Sequence, residues 1–152
     1  PWADAERMVA GGGSYGGYLT SLILGREHPF RALVAHAAVY NLYTQYAADF
    51  AVEMPRFGGF WEADNRAMIE KTSPHYHAAN FKTPTLVVHG QNDLRVPVNH
   101  GQELYQTLLM KGVPTRYVYF PNENHWVLKP QNSVFWYQQV KRWFEEQGGV
   151  GD

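Results

Sequence analysis

Gly12-Gly13-Ser14-Tyr15-Gly16 follows the short apolar run Met8-Val9-Ala10 and opens the apolar stretch Tyr18-Leu19-Thr20-Ser21-Leu22-Ile23-Leu24. A buried strand, a sharp turn and a helix in that order form a nucleophile elbow, in which a serine hydroxyl is held out where the helix begins. So tight a turn brings backbone segments together and favours positive φ, both of which glycine tolerates because it has no Cβ. The five-residue pattern alone is weak: with glycine at about 7% of residues, it arises by chance in roughly one chain in twenty of this length. Its context and its partners must decide.

A serine hydroxyl becomes a useful nucleophile when a base takes its proton and a third group orients that base. Thr85-Leu86-Val87-Val88 reads as a buried strand, and the loop His89-Gly90-Gln91-Asn92-Asp93 after it carries an acid. Arg116-Tyr117-Val118-Tyr119-Phe120 reads as a further strand, and Pro121-Asn122-Glu123-Asn124-His125 follows it. The chain order is Ser14, Asp93, His125, which is that of α/β-hydrolases and not of the chymotrypsin or subtilisin types. All three fall beyond the carboxyl ends of strands, where open parallel sheets bind ligands. Asp49 and Asp64 are rival acids, but neither follows a strand end. His75-x-His77 has metal-ligand spacing without carboxylate or cysteine partners nearby, so no metal is expected. His89 reads as a support for the loop that holds Asp93.

Gly12-Gly13-Ser14-Tyr15-Gly16-Gly17-Tyr18, His89-Gly90-Gln91-Asn92-Asp93-Leu94-Arg95-Val96-Pro97 and Asn122-Glu123-Asn124-His125 together resemble the catalytic blocks of the prolyl oligopeptidase family of serine peptidases. The similarity runs from about Trp2 to Phe144. Asp93-Leu94-Arg95-Val96-Pro97 and His125-Trp126-Val127-Leu128-Lys129-Pro130 are closest to its acylaminoacyl-peptidase and dipeptidyl-peptidase-like branch. Trp126 stands where many relatives have glycine after the histidine. The resemblance implies acyl transfer to Ser14, with His125 as base and Asp93 orienting it. The N–H of Tyr15 would be one oxyanion donor, and Arg95 would bind a substrate backbone carbonyl. Val39, Tyr40, Tyr43 and Val96 would line the first specificity pocket, in the region where Tyr46, Phe50, Phe57, Phe60 and Trp61 add further aromatics. No cofactor is implied. An esterase or lipase uses the same triad, and a packing piece inactive in isolation is a reading from another class.

The pattern along the chain is an α/β alternation without repeats: the second half of an α/β-hydrolase fold, with parallel strands and helices in a three-layer sandwich. The elbow helix is expected to end near His28-Pro29, and Ala32 to Ala37 to form the next strand. A long connection from Val39 to Phe81 contains a helix over Glu62 to Lys71. A helix from Val98 to Lys111 buries Gly101, Leu104, Tyr105 and Leu108, with capping-box spacing at Asn99 and Gln102. The final helix begins near Asn132 or Ser133, presents Trp136, Val140, Trp143 and Phe144, and stops at Gly148-Gly149.

Position 14 for the nucleophile leaves no room upstream for the earlier strands, for the loop that gives the second oxyanion donor, or for the β-propeller usual in this family. Residues 1–152 are therefore expected to be the carboxyl-terminal portion of a peptidase catalytic domain, with the amino-terminal part of the same enzyme and a peptide substrate as partners and with room for a homo-oligomer. A share of 45% hydrophobic and only 18% charged residues fits a body that buries further surface. A chain of this length buries roughly 68–70% of its unfolded surface. The formal net charge of -1 comes without a basic stripe, which argues against nucleic acid. No apolar run approaches the ~20 residues that cross a bilayer. The absence of cysteine excludes disulfides and thiol catalysis. The compartment stays open between periplasmic or secreted and cytoplasmic.

Overall fold

A computed structural model of the chain describes residues 4–49 and 58–151. Four strands, β1 (Val9–Gly13), β2 (Ala32–His36), β3 (Thr85–Gly90) and β4 (Thr115–Phe120), form one sheet in chain order. Every neighbouring pair is parallel, in registers that include Val9 with Ala32, Leu33 with Thr85 and Thr85 with Thr115. The helices α1 (Tyr15–Leu24), α2 (Ala63–Thr72), α3 (Asn99–Met110) and α4 (Pro130–Gly148) lie in the connections and after the last strand. All residues of β2 and β3 are buried, as unbroken apolar runs require when both faces of a parallel sheet are covered.

The two-residue period of a strand divides this core between two layers. Leu33 and Ala35 of β2 and Val87 of β3 pack with Leu24, Leu104 and Leu108 of α1 and α3. Ala32 and Val34, with Leu86 and Val88, point the other way and meet Trp143 of α4, with Trp136, Val140 and Phe144 beside it. The result is helix, sheet, helix in three layers, and all the strands deliver their carboxyl ends to one edge.

Local chemistry explains where element ends differ from expectation. Helix α1 stops at Leu24, short of His28-Pro29, with Gly25 as its C-cap; a Cβ there would lie 2.6 Å from that of His77 in the 3₁₀ segment Pro74–Asn80, so the close approach requires glycine. Helix α3 has no capping box. It grows out of a run of turns, so that Pro97 O and Val98 O already accept from His100 N and Gln102 N, at 3.0 and 3.2 Å. Helix α4 begins at Pro130, earlier than Asn132, with proline in the first turn where its missing N–H costs nothing. Ser133 does not cap it; its hydroxyl donates to Val127 O at 2.8 Å. Gly149, at φ 64, closes the helix in the left-handed conformation.

Candidate active site

One residue separates β1 from α1, and it is Ser14, at φ 58 and ψ -119. The positive φ therefore falls on the serine and not on a flanking glycine, against the simplest reading of the motif. A non-glycine residue held there costs on the order of 1–3 kcal/mol. Ser14 N donates to His36 O at 3.0 Å, and Ser14 O accepts from Tyr18 N at 2.9 Å, which fixes the turn from both sides. The motif glycines serve close approach instead: a Cβ on Gly12 would sit 2.3 Å from Gly16 O. The N–H of Tyr15, first in α1, belongs to the set that a helix leaves without an internal acceptor.

Asp93, only 2% exposed, stands just beyond β3. Its Oδ1 accepts from Arg95 N at 2.9 Å and Val96 N at 2.8 Å, an Asx-type turn that sets the carboxylate plane. Its Oδ2 lies 2.8 Å from His125 Nδ1, and His125 Nε2 lies 2.9 Å from Ser14 Oγ. A carboxylate can only accept, so Nδ1 carries the proton and Nε2 offers its lone pair to the serine hydroxyl. Burial by itself would raise the Asp93 carboxyl, but hydrogen bonds from His125, His89 and Val96 N outweigh it and hold the acid below the usual carboxylate range. Buried His89 does support this loop: its Nε2 donates to Val96 O at 2.8 Å and lies 3.4 Å from Asp93 Oδ2. His36, at the end of β2, is lowered to about 4, first by burial and then by His89 and His125.

The acid and histidine loops are clasped to each other. Asn92 N donates to Glu123 O and Gln91 N to Phe120 O, both at 2.9 Å. A Cβ on Gly90 would stand 2.2 Å from Asn124 O, so only glycine permits this approach. Glu123 is a support of the histidine loop that sequence reasoning passed over. It is 4% exposed; its carboxylate accepts from Leu128 N at 3.2 Å, Lys129 N at 3.0 Å and Asn132 Nδ2 at 2.6 Å, tying the His125 loop to the start of α4. The available signal was an acid two residues before the histidine, in a loop with no basic neighbour before Lys129.

Ser14 and His125 open into a cleft of about 720 Å³ whose walls include Asp49, Leu94, Arg95 and Trp126. Of the expected site residues Arg95 is there, with its Nε donating to Asp49 Oδ1 at 2.8 Å. Val39, Tyr40, Tyr43 and Val96 do not line this cleft. Tyr40 is a core residue, which corrects its assignment to a pocket: it is 3% exposed, packs with Phe81 and Leu104, and donates its hydroxyl to Thr107 Oγ1 at 3.0 Å. Val96 is buried, with its N–H and carbonyl engaged by Asp93 and His89. Val39 and Tyr43 are half-buried, and Tyr43 meets Phe60, which in turn meets Tyr46 and Trp61. Phe50 and Phe57 lie outside the described residues. His75 Nδ1 bonds to Ser73 Oγ and His77 Nε2 to Lys71 O, so the two rings serve different partners.

Residues 1–150 match the family model described as the prolyl oligopeptidase family. The chain belongs to that family. Among its relatives, a probable dipeptidyl-peptidase 5 of Aspergillus clavatus is 39% identical over 155 residues, covering 99% of this chain and 21% of that protein. The dipeptidyl-peptidase 5 of Schizosaccharomyces pombe is 42% identical over 149 residues, covering 93% and 21%. The acylaminoacyl peptidase of Pyrococcus horikoshii superposes with a TM-score of 0.88 at 26% identity, covering 96% of this chain and 25% of that one. The chain thus spans about a fifth of the length of the dipeptidyl-peptidases it matches, and its fold is that of an α/β-hydrolase from the prolyl oligopeptidase family.

Proposed function

We propose that the enzyme is a serine peptidase acting on short peptides through an acyl-enzyme at Ser14, releasing dipeptides or acylated residues as the names of its relatives suggest. The observation that carries this reading is the unbroken hydrogen-bond chain Ser14 Oγ, His125 Nε2, His125 Nδ1, Asp93 Oδ2. As Ser14 Oγ bonds to the scissile carbonyl carbon, its proton passes to His125 Nε2, and the imidazolium is stabilised by Asp93. The carbonyl oxygen, now negative, faces the Tyr15 N–H. His125 gives its proton to the leaving nitrogen as the C–N bond breaks. Water then attacks the acyl carbon as His125 takes its proton, the Ser14 Oγ–C bond breaks, and His125 returns the proton to Ser14 Oγ as the acid product leaves.

Arg95 suits the role of carbonyl anchor. Its pair with Asp49 is exposed on both sides, and such pairs contribute about 0–1 kcal/mol. A charge-assisted bond to a substrate carbonyl contributes about 1.5–3 kcal/mol. The test is a panel on the full-length protein: dipeptide anilides with a free amino end, acylated aminoacyl anilides, and a simple nitrophenyl ester. Turnover of either peptide class that disappears in Ser14→Ala supports the reading. Turnover of the ester alone would make the enzyme an esterase.

A further inference from the structure

The cleft around Ser14 is walled by two groups of residues that are anchored to different parts of the fold. At one end stand Asp49, Leu94 and Arg95. This end is held by Asp49 N on Leu94 O at 2.8 Å and by Gln45 Nε2 on Arg95 O at 2.9 Å. The segment that carries Asp49 continues from Tyr40, which packs in the layer of α1 and α3. At the other end stand Trp126 and Leu128. Trp126 lies 3.5 Å from where a Cβ on Gly13 would be, and its ring meets His36 edge-on at 6.3 Å. The same His36 ring is 5.8 Å from Trp136 of α4, so this end belongs to the α4 layer.

The chemistry fixes which end receives which half of the substrate. His125 must hand its proton to the leaving nitrogen, and the Trp126 ring lies directly beside that imidazole, with centroids 4.9 Å apart. If Arg95 holds the acyl half, the leaving half extends away from it and across Trp126. Trp126 and Leu128 both line the cleft that holds Ser14 and His125, so an apolar wall stands beside the catalytic imidazole. The indole stands beside the elbow at Gly13 and faces the cleft.

We propose that Trp126, with Leu128, forms the subsite for the first residue of the leaving peptide and selects an apolar or aromatic side chain at that position. The inference rests on the serine-peptidase reading. In acylation the Ser14 Oγ–C bond forms, the C–N bond breaks, and the serine proton travels through His125 Nε2 to the leaving nitrogen; a side chain seated on Trp126 holds that nitrogen against Nε2. In reverse, an amine seated there can attack the acyl-enzyme in place of water, yielding a new amide and returning the proton to His125 and then Ser14.

Two measurements on the full-length enzyme test this. In peptides with one acyl half and Phe, Leu, Gly or Asp as the first leaving residue, kcat/KM should favour Phe and Leu over Gly by about tenfold, the effect of partly burying one large apolar side chain. The Phe-to-Gly ratio should fall toward one in Trp126→Gly. Independently of any variant, wild-type enzyme acylated from a nitrophenyl ester should divert several-fold more product to phenylalaninamide than to glycinamide at equal concentration. Equal rates across the leaving residues, or equal diversion by the two amides, would overturn the subsite while leaving the peptidase reading intact. Failure to turn over any peptide in the series would overturn both.

Discussion

His100 makes the fold sensitive to mild acid in a way that can be isolated by one substitution. It is fully buried in α3, and its Nδ1 accepts from Tyr40 N at 3.0 Å and Asn41 N at 3.2 Å. Protonating Nδ1 would destroy both bonds and place a charge in the core. Burial, reinforced by His89, lowers its pKa to about 3. Because the folded value is depressed, the unfolded chain binds the proton first, so stability is lost as pH falls from the unfolded value of ~6.5 toward about 3. At pH 5 the unfolded side chain is about thirtyfold protonated over neutral while the folded one is not, a loss of about 2 kcal/mol relative to pH 7.5. His36, lowered to about 4, adds a similar loss at that pH. In His100→Asn the amide oxygen can take over the acceptor role of Nδ1 without titrating. Urea unfolding of the full-length protein at pH 7.5 and 5.0 should show a drop about 2 kcal/mol larger in wild type than in the variant. The same drop in both proteins would refute the assignment of the acid sensitivity to His100.

Asp93→Asn should lower kcat by roughly ten-thousandfold with little change in KM, since an amide N–H facing Nδ1 would force the wrong tautomer on His125; steady-state kinetics on a dipeptide anilide check this. Arg95→Ala should lower kcat/KM for peptides by roughly ten- to a hundredfold and for a nitrophenyl ester by much less, whereas equal losses would reduce Arg95 to a prop for the acid loop through its pair with Asp49. Leu104→Ala, at a site with no solvent exposure between α3 and the sheet, should cost about 2–5 kcal/mol in urea unfolding, with acidic and neutral values moving together. Gly90→Ala must separate the acid and histidine loops, because its Cβ would stand 2.2 Å from Asn124 O; kcat should fall far more than urea stability, and an unchanged kcat would show that the clasp is not needed.

What the sequence disclosed depended on whether one local rule governed each position. Val and Leu runs such as Leu86-Val87-Val88 have no other good place than a buried parallel strand, and the order of Ser14, Asp93 and His125 after three strands follows from that. The observed hydrogen bonds bring these three together as their order implied. Tyr40 was misread because an aromatic just after a strand end can turn either into the cleft or into the core, and its choice rests on Thr107, distant in sequence. Glu123 looks like an ordinary polar turn residue until the N–H groups of Leu128 and Lys129 are seen to fold back on it. The need for glycine at the end of α1 rests on the close approach of His77 to Gly25, a contact that no reading of the helix alone could supply. The elbow misled in one respect: glycine spacing suggested positive φ at glycine, while the backbone places it on the nucleophile itself.

The central claim is that Ser14 is made nucleophilic by His125, and covalent labelling of the full-length protein with a fluorophosphonate tests it most directly. Peptide mapping should find the label on Ser14, and the second-order labelling rate should fall by roughly a thousandfold or more in His125→Ala, with Asp93→Ala and the double variant close to that same low rate because the groups act as one unit. A label on another residue, or a rate at Ser14 that is unchanged without His125, would contradict the account.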